Sequence, residues 1–436
     1  MRSYLLSLFV AVLFSHPVIA QTLDPSLSAR SAEGAPVAGV SLTLDEALSR
    51  AINANPGLRA AAHEVSAVDA TVLQAKARPN PELQGLVEDL RNATRITTVQ
   101  INQPIELGGK RGARIAAAEK NRSAAALTLD AQRAEIRADV VTAFADVLAA
   151  QEGVRLAEAT TDLAQRATHV AARRVLAGRV SPVEETRARV AEANVRMEAA
   201  TAGYELAAAR KRLAGLWGAA EPDFAQVQGN LESLPPLPPL ADLNQQLETS
   251  PALLRARLEI ERRNALTEVE RSLRTPDVTV SLGARRNNEL GLNQAIVGAS
   301  LPLPLFNRNQ GNILEAERRT DKAREELAAA TVQAANTLAQ AHSRLDVARQ
   351  SVNALREQIL PGAQSAYDAA TRGFELGKFS FLEVLDAQRT LFQARAQYQR
   401  ALADAYRAAA EIERVLGGAI ISPTLVDTRI STSPKP

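Results

Sequence analysis

Hydrophobic and polar positions along this chain follow two different periods. No proline lies between Pro104 and Pro182, and Val140 and Val147 are two of the apolar residues that recur every seven positions in this stretch. A spacing of seven, with alanines between the larger side chains, is typical of long helices that pack closely as a left-handed coiled coil. The pattern predicts a single helix over about 112–177, roughly 100 Å long.

The same spacing of seven returns later, at Leu338, Leu345 and Val352. A second long helix is therefore expected. Unlike the first, it carries a proline inside the pattern, Pro361, followed by Gly362. Because proline lacks an N–H and its ring crowds the preceding turn, we expect this helix to bend there.

Two shorter stretches, about 82–103 and about 277–301, change from the helical period to alternation. In the first, one face of the second strand carries Thr97, Val99 and Ile101, and the other carries Thr98, Gln100 and Asn102. In the second, Val278, Val280 and Leu282 alternate with Thr279, Ser281 and Gly283. A polar turn divides each stretch. Both are predicted to be β-hairpins with one apolar and one polar face.

The order of these elements occurs twice. Asn55-Pro56 returns 195 residues later as Ser250-Pro251, and the turn 178–181 returns 199 residues later as 377–380. So small a change in offset indicates a duplicated unit of roughly 175 residues, which is too long for a solenoid repeat. The predicted fold is mainly α with a small β part. Its domains are a first repeat, a proline-rich linker and a second repeat, at 42–232, 233–241 and 242–418.

The ends of the chain have a different character. Arg2, an apolar run over 4–14 and a small-residue site between Ala20 and Gln21 predict a signal peptide over 1–20. We expect a flexible leader over 21–41 and a loose tail over 419–436. No other stretch reaches the length of a membrane helix.

Composition narrows the choice further. Apolar residues make up 46% of the chain but aromatics only 3%, which suits long helices packed along their length better than a compact core. The 51 basic and 49 acidic residues leave a net charge of +2, so charge gives no reason to expect nucleic acid as a partner. With no cysteine, a disulfide, a thiolate metal site and a lipid anchor on an N-terminal cysteine are excluded.

Two kinds of architecture are compatible with the predicted hairpins. Strands of nine or ten residues with one apolar face have the length and pattern of membrane strands. Four strands cannot close a barrel, and an open edge in lipid leaves backbone groups unpaired at several kcal/mol each. Three chains would supply twelve strands, whereas two would supply eight, too few for an aqueous channel. The alternative is a soluble helical bundle capped by the hairpins.

The residues of this chain resemble a known family. The repeated order of helix, hairpin, long helix, Gly-x-x-Ser turn and return helix is similar to that of the TolC-type outer-membrane efflux proteins, over about 42–418. The resemblance rests on three stretches of sequence: 42–48 followed by Asn55-Pro56, then 373–380, and then 382–388. The segment 300–311 resembles the heavy-metal branch, the CzcC type that exports cobalt, zinc and cadmium. Drug or organic-solute efflux by the same fold stays open.

The resemblance implies a homotrimer in outer-membrane lipid, with a twelve-stranded barrel and a helical tunnel across the periplasm. The tunnel would dock through a periplasmic adaptor (membrane fusion) protein onto a proton-driven, RND-type transporter of the inner membrane. It implies a channel without a cofactor. The residues likewise show no nucleophile–base pair, phosphate loop or dinucleotide motif, so we expect no enzyme. An adaptor is a distant alternative, since it would have one helical hairpin and more strands.

In the family, the turns between long helices meet the adaptor. The matching residues here are Gly178, Arg179, Ser181, Gly377, Lys378 and Ser380. The simpler interpretation is that glycine ends one helix and serine caps the next, and both interpretations are compatible.

Carboxylates just beyond the turns match the acidic pair that rings the periplasmic mouth in the family. Glu383 and Asp386 lie three apart on one helix face, and threefold symmetry would make a ring of six. Yet Ser380 with Glu383, and Ser181 with Glu184, also form the pattern of a capping box. Asp386 is therefore the better candidate for the constriction.

The first repeat has Arg187 where the second has Asp386, so the acidic pair is not doubled. We hypothesise an Arg187–Asp386 latch between neighbouring hairpins. Metal binding by the chain itself is not expected, because His63, His169 and His342 are far apart and each stands alone on a predicted helix.

Overall fold

The computed structural model describes residues 41–376 and 378–418. The first repeat contains β1 (Ser41–Leu42), α1 (Leu44–Ala54), α2 (Pro56–Lys76), β2 (Glu82–Glu88), β3 (Ile96–Ile105), α3 (Lys110–Leu176), α4 (Pro182–Gly215) and β4 (Gln226–Val227). The second contains α5 (Leu240–Leu247), α6 (Pro251–Leu273), β5 (Val278–Asn287), β6 (Leu292–Ser300), α7 (Gln310–Ala354), a π-helical turn (Leu355–Ile359), α8 (Leu360–Glu375) and α9 (Phe381–Leu416). Apart from the short strands β1 and β4, the order of elements is duplicated, with α7, the π-helical turn and α8 together matching α3.

Several sequence expectations fall outside this range. The signal peptide with its cleavage site at Ala20 and Gln21, residues 21–40 of the leader, the turn residue Gly377 and the tail 419–436 all lie outside the described residues. The last leader residue, Ser41, is in a strand rather than a flexible segment, because it pairs in parallel with Gln226 of β4. Over the described part of the chain, none of the helices combines the length and the apolar character needed to span a bilayer.

The first helix begins at the predicted capping box. The Thr43 N–H donates to Glu46 Oε2 at 3.0 Å, and the Glu46 N–H donates to the Thr43 hydroxyl at 3.4 Å. These bonds satisfy two backbone donors that the helix leaves free. Hydrogen bonds that the Glu46 carboxylate accepts from the Thr43 N–H and from the Thr43 side chain lower the pKa of Glu46 below its ordinary value.

Pro361 is accommodated by a π-helical turn directly before it. The Leu360 N–H donates to the carbonyl of Leu355, five residues back instead of four. One extra residue in the turn widens the helix where the proline ring would otherwise press on the preceding turn. A π-helical turn thus precedes the proline, and the bend expected at Pro361 stays a prediction.

The four longer strands form one antiparallel sheet in the order β2–β3–β5–β6. Leu83, Ile101, Leu282 and Val297 lie opposite one another in a row across all four strands. All four side chains are more than half exposed in the single chain. Within the described residues, β2 and β6 each keep one edge without a partner.

The other face of the sheet is polar, as the alternation predicts. Gln100 Nε2 donates to Gln84 Oε1 at 2.8 Å, and the Ser281 hydroxyl donates to Asn102 Oδ1 at 2.7 Å. Near the end of the strands, Arg285 pairs with Glu88 at 2.9 Å. Polar side chains on this face therefore satisfy one another across the strands.

The helices pack side by side in the same order as the strands. Next to the sheet, α2 contacts α3, α3 contacts α6, and α6 contacts α7. Farther from the sheet, α4 contacts α3, α3 contacts α9, and α9 contacts α7 and α8. The predicted heptad residues Val140, Val147, Leu338, Leu345 and Val352 are buried in this array. They belong to the main core, which also includes Phe144, Leu402 and Tyr406.

Two ion pairs join the repeats along α3 and α9. Arg407 pairs with Asp146 at 2.7 Å, and Arg414 pairs with Asp139 at 2.6 Å. The two arginines are seven residues apart on α9, and the two aspartates are seven residues apart on α3. Burial raises the pKa of Asp139 although Arg414 attracts its charge. Desolvation opposes the attraction in this pair, and its place one heptad from the Arg407–Asp146 pair suits it to fix the register of the two helices.

The linker 233–241 is attached to the helices along its length. The Ser233 carbonyl accepts from the Tyr406 hydroxyl, and the Pro235 carbonyl accepts from Arg349. The Pro238 carbonyl lies 3.0 Å from His342 Nε2. Helix α5 begins at Leu240, so the extended part is slightly shorter than the sequence suggested.

The close contact between β3 and β5 predicts a difference between two glycines. A Cβ at Gly283 would stand 2.5 Å from the Val99 carbonyl oxygen and 2.6 Å from Gln100 Cβ, whereas a Cβ at Gly85 would meet nothing within 4 Å. We expect Gly283→Ala to lower the free energy of unfolding by about 1–3 kcal/mol, as overpacking does. Gly85→Ala is the matched control. Equal thermal unfolding midpoints for the two variants in detergent would contradict the sheet register.

Candidate functional site at the hairpin tips

The first tip is a tight turn between α3 and α4. Gly178 adopts a left-handed conformation with φ of 67°. Its N–H donates to the Val175 carbonyl at 2.9 Å, and the Arg179 N–H donates to the Arg174 carbonyl at 2.9 Å. These two bonds are those of a Schellman motif, which closes a helix where a residue without Cβ is favoured. The turn leaves Gly178 and Arg179 exposed.

Ser181 caps α4, but the predicted capping box with Glu184 is wrong. The Ser181 hydroxyl accepts from the Val183 N–H at 3.3 Å. The Glu184 N–H donates to the Ser181 carbonyl at 2.9 Å. In a capping box the Glu184 N–H would donate to the serine hydroxyl, but this hydroxyl accepts from the Val183 N–H instead, so the reciprocal arrangement does not form. Glu184 is instead half-buried in the first turn of α4.

The second tip forms the capping box that the sequence predicts. The Ser380 N–H donates to Glu383 Oε2 at 2.6 Å. Before it, the Lys378 N–H donates to the Gly373 carbonyl at 2.8 Å. Gly373 leaves room for the Phe379 ring, because a Cβ there would stand 2.2 Å from Phe379 Cδ2. The capping interpretation of Glu383 is confirmed.

The two tips lie against each other within one chain. Phe374 and Leu385 of the second hairpin pack against Ala171 and Ala188 of the first. The Arg174 guanidinium carbon lies 3.9 Å from the centre of the Phe374 ring, within the range of a cation–π interaction. No spacing or motif in the sequence predicts this contact, because it joins residues of different hairpins.

The remaining candidates are distributed over the exposed faces of α4 and α9. Glu383 and Asp386 are both exposed on one face of α9, and Arg187 is exposed on α4. Across residues 41–376 and 378–418, no ion pair within the chain joins Arg187 to Asp386. The latch therefore stays a prediction for contacts between copies. Among those same residues, no group of histidine and carboxylate side chains has the geometry of a metal site.

Two segments of the chain, 47–219 and 243–418, each match the family described as outer membrane efflux protein. The chain belongs to this family. The two matches coincide with the two repeats, and the family places the chain in the outer membrane, as the sequence resemblance predicts.

Relatives and solved structures agree with this family. The chain is 48% identical to the cobalt-zinc-cadmium resistance protein CzcC of Cupriavidus metallidurans, over 96% of this chain and 100% of CzcC. It is 30% identical to the nickel-cobalt-cadmium resistance protein NccC of Alcaligenes xylosoxydans xylosoxydans, over 78% and 73% of the two chains. Among solved structures, CusC matches with a TM-score of 0.74 at 21% identity, over 87% of this chain and 93% of CusC. The predicted TolC-type fold is confirmed.

The capping box separates two roles of Glu383 experimentally. Glu383→Gln keeps an acceptor for the Ser380 N–H but removes the charge, whereas Glu383→Ala removes both. We expect Glu383→Ala to lower the free energy of unfolding by about 1 kcal/mol, whereas Glu383→Gln should keep most of the wild-type stability. Thermal unfolding of the purified protein compares them. If both substitutions destabilise it equally, the charge rather than the hydrogen bond stabilises the tip.

Proposed function

We propose that this chain is the outer-membrane channel of a tripartite RND-type efflux system that exports heavy-metal cations such as cobalt, zinc or cadmium. The observation that carries the proposal is the 48% identity to a cobalt-zinc-cadmium resistance protein over nearly the whole of both chains. The channel supplies a conduit, and an inner-membrane transporter supplies the energy. The chain itself carries out no chemical step.

A homotrimer is the assembly that fits a sheet of this kind. The apolar row of the sheet is exposed in the single chain, and both edge strands have free backbone groups. In lipid such groups need partners. Three copies sharing one barrel would provide them and would enclose the polar face, with its Gln84, Gln100 and Asn102 side chains, around water.

The tips are the proposed contact with the periplasmic adaptor. Arg179, Ser181, Lys378 and Ser380 are exposed there, and the Schellman turn and capping box hold the first and second tips in shape without help from a partner. Preformed turns lower the entropy lost on docking. Arg179 and Lys378 favour an adaptor surface with acidic side chains.

Cargo ions would pass as solvated cations. Glu383 and Asp386 share an exposed face near the tip, and threefold symmetry would repeat both carboxylates around the mouth. Carboxylates attract divalent cations without requiring the ordered ligands of a tight binding site. Glu383 also caps its helix, so Asp386 is the residue proposed to act through its charge alone.

The assembly is tested by the mass of the detergent-extracted particle. Light scattering on a size-exclusion column, corrected for detergent, is expected to give three copies because the sheet edges need partners. The control is extraction with carbonate alone, which should leave the protein in the membrane fraction. A monomer released without detergent would overturn the channel.

The cargo is tested by metal tolerance in a strain that lacks this gene. The wild-type copy is expected to restore tolerance to cobalt, zinc or cadmium. Asp386→Asn should restore it less well, because three negative charges leave the mouth. Glu205→Gln, which removes an exposed carboxylate on α4 far from the tip, is the matched control. Loss of tolerance to organic toxicants with unchanged metal tolerance would reassign the cargo.

A further inference from the structure

The apolar face of the sheet becomes polar and charged near the hairpin turns. One step towards the turns from the row that contains Leu282, the residues on this face are Gly85, Val99, Ala284 and Ala295. One step farther they are Val87, Thr97, Arg286 and Asn293. A positive charge therefore stands at the edge of the face that the proposed channel turns towards lipid.

Arg95 continues the same face one step beyond β3. The Asn288 N–H donates to the Arg95 carbonyl at 3.1 Å, so Arg95 lies opposite Asn288 just as Thr97 lies opposite Arg286. Because side chains alternate along a strand, Arg95 and Arg286 are diagonal neighbours on one face, with their backbones about 7–8 Å apart. The sheet thus brings two positive charges together.

Neither charge has a carboxylate partner within residues 41–376 and 378–418. The Arg286 guanidinium donates to the neutral Asn293 Oδ1 at 3.0 Å, and the Arg95 side chain forms no hydrogen bond or ion pair in this part of the chain. Like charges at neighbouring positions of a sheet destabilise it. An anion between the two arginines would remove this repulsion.

The other charged groups at this end of the sheet are arranged differently. Arg285, on the polar face, pairs with Glu88 at 2.9 Å, and Arg91, in the first turn, pairs with Asp89 at 3.2 Å. Glu289 is exposed in the second turn and forms no ion pair in the described part of the chain. The arginines on the polar face and in the turn are therefore neutralised, whereas the two on the apolar face are not.

The two arginines stay open to lipid in an assembled channel. The strands that hold them, β3 and β5, are the inner strands of the sheet, and each is paired on both sides within the chain. Contacts at the free edges of β2 and β6 therefore leave the outward face of β3 and β5 uncovered.

Arg286 stands near the headgroups of the outer leaflet. The helices leave the sheet at its other end, and a TolC-type channel extends through the periplasm on that side, so the hairpin turns face the exterior of the cell. From Val278, where β5 begins, to Arg286 is a distance of eight residues, roughly 26 Å along a strand and about 20 Å across a tilted barrel wall. An apolar band about 25 Å tall thus ends close to this arginine.

We infer that Arg95 and Arg286 bind a phosphate group of the phosphorylated glycolipid in the outer leaflet of the outer membrane. The inference rests on the proposed channel, whose apolar face meets lipid. Guanidinium groups are planar and donate in pairs to phosphate oxygens, so one phosphate between them satisfies both arginines. A lipid is the source of this phosphate because its acyl chains also cover the apolar rows next to the arginines.

The site is tested by lipid binding to the purified particle in detergent. Lipid A with two phosphates is the probe, and native mass spectrometry measures how much of it the particle retains during a titration. Arg95→Gln with Arg286→Gln should weaken binding about tenfold or more, because charge-assisted contacts are lost. The matched control is Arg91→Gln with Arg285→Gln, which removes the same charge at the same end of the sheet but from the turn and the polar face.

Two further probes identify the source of the phosphate. Dephosphorylated lipid A should bind equally to the wild type and to the variant without Arg95 and Arg286, because the acyl chains are unchanged. Inorganic phosphate at millimolar concentration should not displace the lipid. Equal weakening in the variant and its control would overturn the site, and displacement by inorganic phosphate would overturn the lipid as its ligand.

Asn293→Asp tests the site without removing an arginine. The new carboxylate would accept from Arg286 where the amide oxygen accepts now, and would so replace the lipid phosphate. We expect weaker lipid binding together with a higher unfolding temperature in lipid-free detergent, because the repulsion is relieved within the chain. Unchanged lipid affinity of this variant would contradict the inference.

Failure of this inference is separable from failure of the proposed function. A wild-type particle of three copies that restores metal tolerance but binds lipid A independently of Arg95 and Arg286 would overturn the lipid site alone. A wild-type chain released as a monomer without detergent would overturn the channel, and with it the lipid-facing surface.

Discussion

The structure depends on the need of a sheet edge in lipid to find a hydrogen-bonding partner. Four strands of one chain end in two free edges, and a bilayer offers no water to satisfy them. A single copy is therefore incomplete as a membrane protein, however well its helices pack. The helices next to the sheet follow the same order as the strands, because each strand is continuous with or adjacent to a helix of the same repeat.

Small residues allow the helices to follow the sheet so closely. Alanine dominates the buried positions of α3 and α9, and heptad leucines and valines fill the space between them. Helices with small residues where they meet can approach closely and keep their axes aligned over many turns. The ion pairs Arg407–Asp146 and Arg414–Asp139 add register to this packing.

Most of this architecture could be read from the sequence. The proline-free stretch gave α3 within two residues of its observed start, and alternation assigned Val99 and Gln100 to the correct opposite faces of β3. Such features depend on local spacing alone. The two tips show the limit: both matched the pattern of a capping box, but only the one at Ser380 formed, because the Ser181 hydroxyl accepts from the Val183 N–H instead of the Glu184 N–H. The Arg174–Phe374 contact depends on how two hairpins lean together, and the Pro238 carbonyl on how the linker lies over α7. No single-sequence pattern encodes either.

The π-helical turn before Pro361 has a consequence for how the second hairpin tolerates change in length. A heptad frame is lost when one residue is added to an ordinary helix, since every later side chain rotates to a new face. Here the frame is interrupted at one place and resumes with both its covered and its uncovered faces intact. The heptad frame of α8, which leads to the tip, is thus independent of the heptad frame of α7, which begins next to the sheet. In α3, whose 67 residues form one uninterrupted α-helix, the same addition would rotate everything between it and the tip.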